Sequence, residues 1–202
     1  MRKRSEATRR SEAKEAARTR ILGAGAARIR GQGLEGAAIA PIMRDAGLTH
    51  GTFYAHFPDK DDLVAAAFRH ALSIGRPAWT EGADADWDHR LARLARHYLT
   101  EKHRDTPEEG CAFAALGADA ARAPDGFRHV FGEELEKSVE AVAAQPGNGP
   151  DAGARRADAI RLLALCIGGM TLARGVGPGP LSDEILRVCR DALALKGESD
   201  DQ

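Results

Sequence analysis

The stretch Ala38–Phe57, AIAPIMRDAGLTHGTFYAHF, constrains the fold more than any other part of the chain. It predicts two very short helices around a glycine. The first runs from Ala38 to Asp45, with Pro41 tolerated only in its first turn, where no N–H is needed. Ala46-Gly47-Leu48 predicts the turn. Thr49 is the expected cap of a second helix through Ala55, ended by Phe57-Pro58. Helices this short do not recover their nucleation cost alone. They must be held by packing, and Ile42, Ala46, Leu48 and Phe53 are placed to supply it.

That pattern is a helix-turn-helix, the arrangement in which the second helix enters a DNA major groove. The flanking segments support a helical domain around it. Residues 1–12 read as a frayed, charged lead-in. A helix is expected from Glu12 to about Arg30, stopped at Gly33. Its Gly23, Gly25 and Gly31 each cost about 1 kcal/mol relative to Ala if they lie in the helix interior. Asp59 and Asp62 form a capping pair for a helix from Lys60 to Gly75.

The remainder continues in helices. β-branched residues are sparse and no strand-like alternation persists. Helices are expected over Trp87 to about Lys102, Cys111–Ala121, Pro124–Ala144, Ala154–Arg174 and Asp183–Lys196, the last capped by Ser182. Loops are expected at Trp79–Asp86, Asp105–Gly110, Gln145–Gly153 and Gly175–Pro180, with a frayed tail from Gly197. The fold class is all-α, about nine helices. A three-helix head at 13–60 carries the motif, and a helical body occupies 61–197.

Charge separates the two parts. Residues 1–60 hold 12 Lys or Arg against 6 Asp or Glu, and residues 61–202 hold 17 against 24. A basic head on an acidic body suits a polyanion at one end, although a solvated basic tail has the same composition. Three cysteines without CxxC spacing exclude a disulfide-built secreted fold. No apolar run follows the basic N-terminus as a signal peptide requires. Leu162 to Ala173 is too short and too glycine-interrupted to span a bilayer. The expected compartment is the cytoplasm, with no membrane partner.

Catalytic and metal chemistry find no support. The seven histidines, His50, His56, His70, His89, His97, His103 and His129, form no HExxH or HxH cluster, and there is no phosphate loop with its lysine. No metal, cofactor or enzymatic activity is expected. At the motif, Thr49, His50 and Thr52 offer short polar groups to base edges or phosphates, with capping as the plainer role of Thr49. Lys60 opposes the dipole of its own helix unless a phosphate lies nearby. Arg44 is a further phosphate candidate. Arg9, Arg10, Lys14, Arg18 and Arg20 would add nonspecific attraction.

The joined run AGLTHGTFYAHFPDKDDLV, with TRIL at Thr19–Leu22, Gly33 and Ile42, resembles the TetR family of one-component bacterial regulators. The resemblance covers the head nearly end to end. It implies that Tyr54 and His56 contact the DNA backbone beside Lys60. It also implies a homodimer on a palindromic double-stranded operator, and a body that binds a small-molecule effector. The chain departs from the pattern at Ala37 and Ala38, where the family often has a Ser or Thr cap, and at Pro41. Tyr98-Leu99, His103-Arg104-Asp105, Gly110-Cys111, Ala114-Ala115-Leu116, Leu172-Ala173-Arg174 and Leu181–Leu186 resemble one branch of the family. In that branch, repressors are released by small, often reactive or apolar compounds.

The expected function is therefore a transcriptional repressor released by an effector. An activator or corepressor-dependent regulator is the alternative within regulation, and a small helical enzyme or interaction module retaining the head is the alternative outside it. Leu94, Tyr98, Phe113, Leu116, Phe127, Phe131 and Leu165 are candidate pocket residues, or ordinary core. Cys111 follows a break at the start of a helix, a location that favours a thiolate, and is a candidate redox or electrophile sensor. Its plainer reading is a small buried hydrophobe. Leu162, Cys166, Gly169, Leu172, Ile185 and Cys189 are candidate dimer-interface residues, since Gly168-Gly169 allows close backbone approach.

Overall fold

The computed structural model describes residues 2–80, 86–144 and 149–194, and within them the chain is all-α. Nine α-helices are present among the described residues: α1 Arg2–Gln32, α2 Ile39–Asp45, α3 Lys60–Gly75, α4 Trp87–Tyr98, α5 Glu101–Asp105, α6 Ala112–Arg122, α7 Asp125–Ala143, α8 Ala152–Val176 and α9 Pro180–Ala194. Short 3-10 turns occupy Leu34–Gly36, His50–Ala55, Arg76–Trp79 and Pro107–Glu109.

The head is built on the second half of α1, which buries Ile21, Ala26 and Ile29. Gly25 lies against α3, where an added Cβ would sit 3.1 Å from the Ala67 methyl. A glycine that looks unfavourable in a helix thus lets two helices close on each other. α1 stops at Gly33, whose φ of +68° favours glycine. The Leu34 amide then donates to Asp119 of α6 at 3.0 Å. The backbone N-cap of α2 is Ala38, without a side-chain cap bond, and Pro41 falls in its first turn. Gly47, at φ +67°, makes the turn that follows.

One apolar cluster runs from Ile21, Ile42, Met43, Phe53 and Phe57 through Leu63, Ala67 and Phe68 of α3 to Phe113, Leu116 and Val130. A second joins Trp87, Leu91, Leu94, Tyr98 and Leu99 to Leu162, Cys166, Met170 and Ala173 of α8 and Leu186 of α9. α8 packs on α7, α9, α6, α5 and α4, so it is the central helix of the body.

Several boundaries differ from expectation. α1 extends back to Arg2 in place of a frayed lead-in. The helix expected over Trp87–Lys102 breaks at Leu99, and Thr100 restarts it by accepting the His103 amide. α8 is 25 residues long and runs through Gly175, ending at Gly177 with φ +80°. By length and composition it could cross a membrane, unlike the shorter segment inferred from sequence. Its buried face packs into the helical body. Ser182 does not cap α9, which begins at Pro180. It is fully buried, donates to the Ala173 carbonyl at 2.9 Å and accepts from Arg104 at 2.9 Å. The middle of the Trp79–Asp86 loop, the start of the Gln145–Gly153 loop, Lys196 and the tail from Gly197 lie outside the described residues.

Candidate nucleic-acid interface and body cavity

Phe53 and Phe57 are buried and stack at 5.9 Å between ring centroids. They anchor His50–Ala55 to the head and leave Thr49, His50, Thr52 and Tyr54 facing solvent. Tyr54 is 66% exposed for so large an apolar ring. The segment is a six-residue 3-10 turn rather than an α-helix. Thr49 stands at its backbone N-cap but makes no side-chain cap bond, so the expected capping hydroxyl is left open. Thr52 instead closes the turn, donating from Oγ1 to the Thr49 carbonyl at 2.7 Å.

Lys60 is the first residue of α3 and is exposed. Asp59 is occupied in capping, since its carboxylate accepts the Asp62 amide at 2.9 Å. Lys60 makes no ion pair among the described residues, and its charge faces solvent at the positive end of a helix. Arg44 is also exposed; its Nε lies 3.8 Å from Asp45. That carboxylate is held mainly by Arg28 at 2.6 Å, which ties α1 to α2. His56 is half-buried, with Nδ1 unpartnered among the described residues. Burial, then the charges of Lys14 and Arg18, depress its pKa, so its ring is neutral at pH 7. Arg18 donates to the His56 carbonyl and stacks over Phe57, a brace that its composition-level role as nonspecific attraction did not suggest.

In the body, a cavity of about 340 Å³ lies between α3, α4, the segment 100–111 and α7. Leu72, Trp79, Leu94, Tyr98, His103, Cys111 and Ser138 contribute to its wall. Trp79 and Tyr98 lie 5.1 Å apart, and His103 meets the Tyr98 ring edge-on at 4.5 Å. His103 Nδ1 lies 2.7 Å from the Tyr98 carbonyl, and Nε2 accepts the Cys111 amide at 2.9 Å. These partners require the neutral Nδ1–H tautomer. Burial lowers the His103 pKa in the same direction. Gly110 makes this corner possible, because an added Cβ would meet the Arg174 guanidinium and the His103 ring at 2.9 Å or less.

The seven expected pocket residues do not share one lining. Leu94 and Tyr98 line this cavity. Phe113, Phe127 and Phe131 instead surround Phe68, with centroids 5.6, 5.3 and 5.5 Å away, and fully buried Leu116 joins the same core. Leu165 borders a different recess with Leu91 and Leu193. Trp79, His103, Ser138 and Arg76 were missed as wall residues, because they converge from separate segments. No metal-holding group of His, Cys, Asp or Glu occurs among the described residues.

Residues 21–67 match the family model for bacterial regulatory proteins of the tetR family. Over those residues the head is similar to the heads of that family. The whole described chain also has the fold of solved TetR-family regulators. A regulator from Cytophaga hutchinsonii superposes with a TM-score of 0.70 at 18% identity, covering 90% of this chain and 95% of that one. One from Chloroflexus aurantiacus gives 0.68 at 21%, covering 93% and 97%. Escherichia coli NemR in its reduced form gives 0.71 at 15%, covering 88% and 94%. No curated protein matches the sequence.

In the body, the expected interface set divides. Leu162, Cys166 and Gly169 are buried within the single chain, and Cys189 lies over Gly169, where an added Cβ would be 2.8 Å from its Sγ. The first three are core of the protomer and Cys189 is partly buried against it. The close approach expected of Gly168-Gly169 is made at Gly169, by α9 of the same chain, while Gly168 has nothing within 4 Å of its Cβ position. Leu172 is 61% exposed and Ile185 is partly exposed. Val176, Leu181 and Val188, which the sequence reading did not name, are 51%, 56% and 50% exposed on the same two helices.

Proposed function

We propose that the chain is a homodimeric, cytoplasmic transcriptional repressor that binds a palindromic operator and is released by a small-molecule effector. The observation that carries it is the exposed polar face of Thr49–Tyr54, fixed from beneath by Phe53 and Phe57. In this reading Thr49, His50 and Thr52 meet base edges or nearby phosphates. Tyr54, His56, Lys60 and Arg44 meet the backbone.

Dimerisation places two such heads on one duplex. Leu172, Val176, Leu181 and Val188 give α8 and α9 an apolar outer face of the kind that a second copy buries. The effector is assigned to the Tyr98 cavity. Its wall continues through Glu109 and Gly110 into the Pro107–Glu109 turn, which packs on α1. A ligand that shifts this wall shifts the base of the head and hence the head separation. Release then follows from the effector's differential affinity for the two body conformations, without chemistry.

Cys111 also lines the cavity. An electrophile entering it meets a thiol, so the sensor role belongs to the same site.

Selection of bound duplexes from a random library tests the reading. A two-fold half-site at about one helical turn or somewhat more is expected. Recovery of no enriched sequence by the intact protein would overturn it.

A further inference from the structure

Tyr98 is 7% exposed, and its hydroxyl has no oxygen or nitrogen hydrogen-bond partner among the described residues; its neighbour, the Cys111 sulfur, is a weak acceptor. A buried hydroxyl without a strong partner is costly to the fold, and a ligand acceptor that pairs with it removes that cost. Arg76, on the same wall, has its Nε buried and unpartnered while its Nη2 is held by Glu134. Both open groups are hydrogen-bond donors.

The cations beside the wall are shared among carboxylates. Glu134 accepts from both Arg76 and Lys137 and lies 3.9 Å from Arg69, which also pairs with Glu133. His103 spends both ring nitrogens on backbone partners as a neutral imidazole. Lys102 and Glu109, of opposite sign, are exposed. Ring faces from Trp79 and Tyr98 and the side chains of Leu72 and Leu94 complete the surface. At about 340 Å³, the space lies at the small end of the roughly 300–1,000 Å³ typical of small-molecule sites.

We infer that the effector is an uncharged one- or two-ring aromatic compound bearing a carbonyl-type acceptor, and that the Tyr98 hydroxyl selects it by donating to that oxygen. Burial pushes the Tyr98 phenol well above its usual range, so it remains a donor at all physiological pH. A hydrocarbon of the same shape leaves this donor unpaired. A carboxylate pays desolvation and meets Arg76 only in competition with Glu134, which already holds its Nη2. The inference rests on the cavity being the effector site, and the test separates the two.

The full-length protein is titrated calorimetrically with benzophenone, diphenylmethane and 4-benzoylbenzoate, and operator retention is measured in parallel. Benzophenone is expected to bind most tightly. Tyr98→Phe, which keeps the ring, should weaken benzophenone roughly 2- to 10-fold, the worth of one hydrogen bond, and leave diphenylmethane unweakened. Leu94→Trp should abolish binding of both by filling the space.

Matching thermal unfolding of Tyr98→Phe and the parent shows that the variant is folded. If it is not, Tyr98→Trp in the same titration must lose the preference for the ketone over the hydrocarbon. Equal affinity for ketone and hydrocarbon, or tightest binding of the carboxylate, overturns the ligand class. Ketone selectivity that depends on Tyr98, without any effect on operator retention, upholds the ligand class and overturns only the effector reading.

Discussion

Arg18 donates from Nη1 to the main-chain carbonyl of His56 at 3.0 Å, and its guanidinium lies 4.4 Å from the centroid of the Phe57 ring. One side chain from α1 therefore holds the exit of the reading turn by a charge-assisted hydrogen bond and a cation–π contact. Arg18→Met keeps much of the apolar stem and removes both. It is expected to lower head stability by about 1 kcal/mol, mainly through the lost bond. Affinity for specific and random duplexes should fall together. Hydrogen exchange over residues 50–57 would report the loosening directly; unchanged protection there rules the brace out.

Lys60 and Thr52 should behave differently on DNA. Lys60→Ala removes an exposed charge with no ion-pair partner among the described residues, so binding to every duplex should weaken. The slope of log affinity against log salt should become shallower by about 1. Thr52→Val also loses the bond to the Thr49 carbonyl, but its main expected effect is altered sequence preference. Titrations on the selected operator and a scrambled duplex at several salt concentrations decide the matter. Indistinguishable variants would contradict the division of roles.

Acid should destabilise the protein in a window set by three histidines. Burial is the largest cause lowering the pKa values of His56, His70 and His103, with nearby cations contributing at each. The unfolded chain, with histidine pKa near 6.5, then binds more protons than the folded chain as the pH falls below that value. The stability is present above about pH 6.5 and is lost as pH falls through the lowered folded pKa values. His103→Gln should make denaturant midpoints less pH-dependent between about pH 7 and 5. A midpoint that rises on acidification would reverse the sign and defeat the argument. Glu133, Glu134 and Glu136, held below the usual carboxylate range, act in a separate window at still lower pH.

The parts legible in the sequence are those fixed by local chemistry. α3 begins at Lys60 and ends at Gly75 as expected, because Asp59 and Asp62 form their cap within one turn. Gly33 and Gly47 mark backbone that must pass through positive φ. Ser182 looked like an equally good cap, yet it is captured by Arg104 and the Ala173 carbonyl, partners 78 and 9 residues away. The break at Leu99 is hidden for a similar reason. Its carbonyl is taken by Arg190 of α9 at 2.6 Å, a tertiary contact with no local signature. The cavity was least legible. Trp79, Tyr98, His103 and Ser138 belong to three separate stretches, and the phenylalanines that form the Phe68 core have the same character as pocket residues.

Alkylation at Cys111 should mimic an effector. Its thiol lines the cavity beside Tyr98, so a carboxamidomethyl group would occupy space the proposed ligand uses. Treatment with iodoacetamide is expected to reduce operator retention, and Cys111→Ala should make the protein insensitive to it. Cys166 should react far more slowly, since it is fully buried and burial pushes its thiol pKa up. Mass mapping of the adducts checks the order of reaction. Loss of DNA binding that persists in Cys111→Ala would place the sensitive group elsewhere.

The outer face of α8 and α9 offers the last discriminating change. Leu172 and Val188 are exposed in the single chain, whereas Leu162 and Cys166 are fully buried in it. Leu172→Glu combined with Val188→Glu costs the protomer little if these side chains meet only water. In a dimer, it sets like charges against each other across a two-fold contact that excludes water. The pair is therefore expected to shift the protein to monomer in sedimentation while leaving the circular dichroism spectrum intact. Operator affinity should drop by orders of magnitude, because each head then binds without the effective concentration its partner supplies. Leu162→Glu should behave oppositely, unfolding the chain by burying a charge in the core. A double variant that stays dimeric, with full operator affinity, would move the interface off this face.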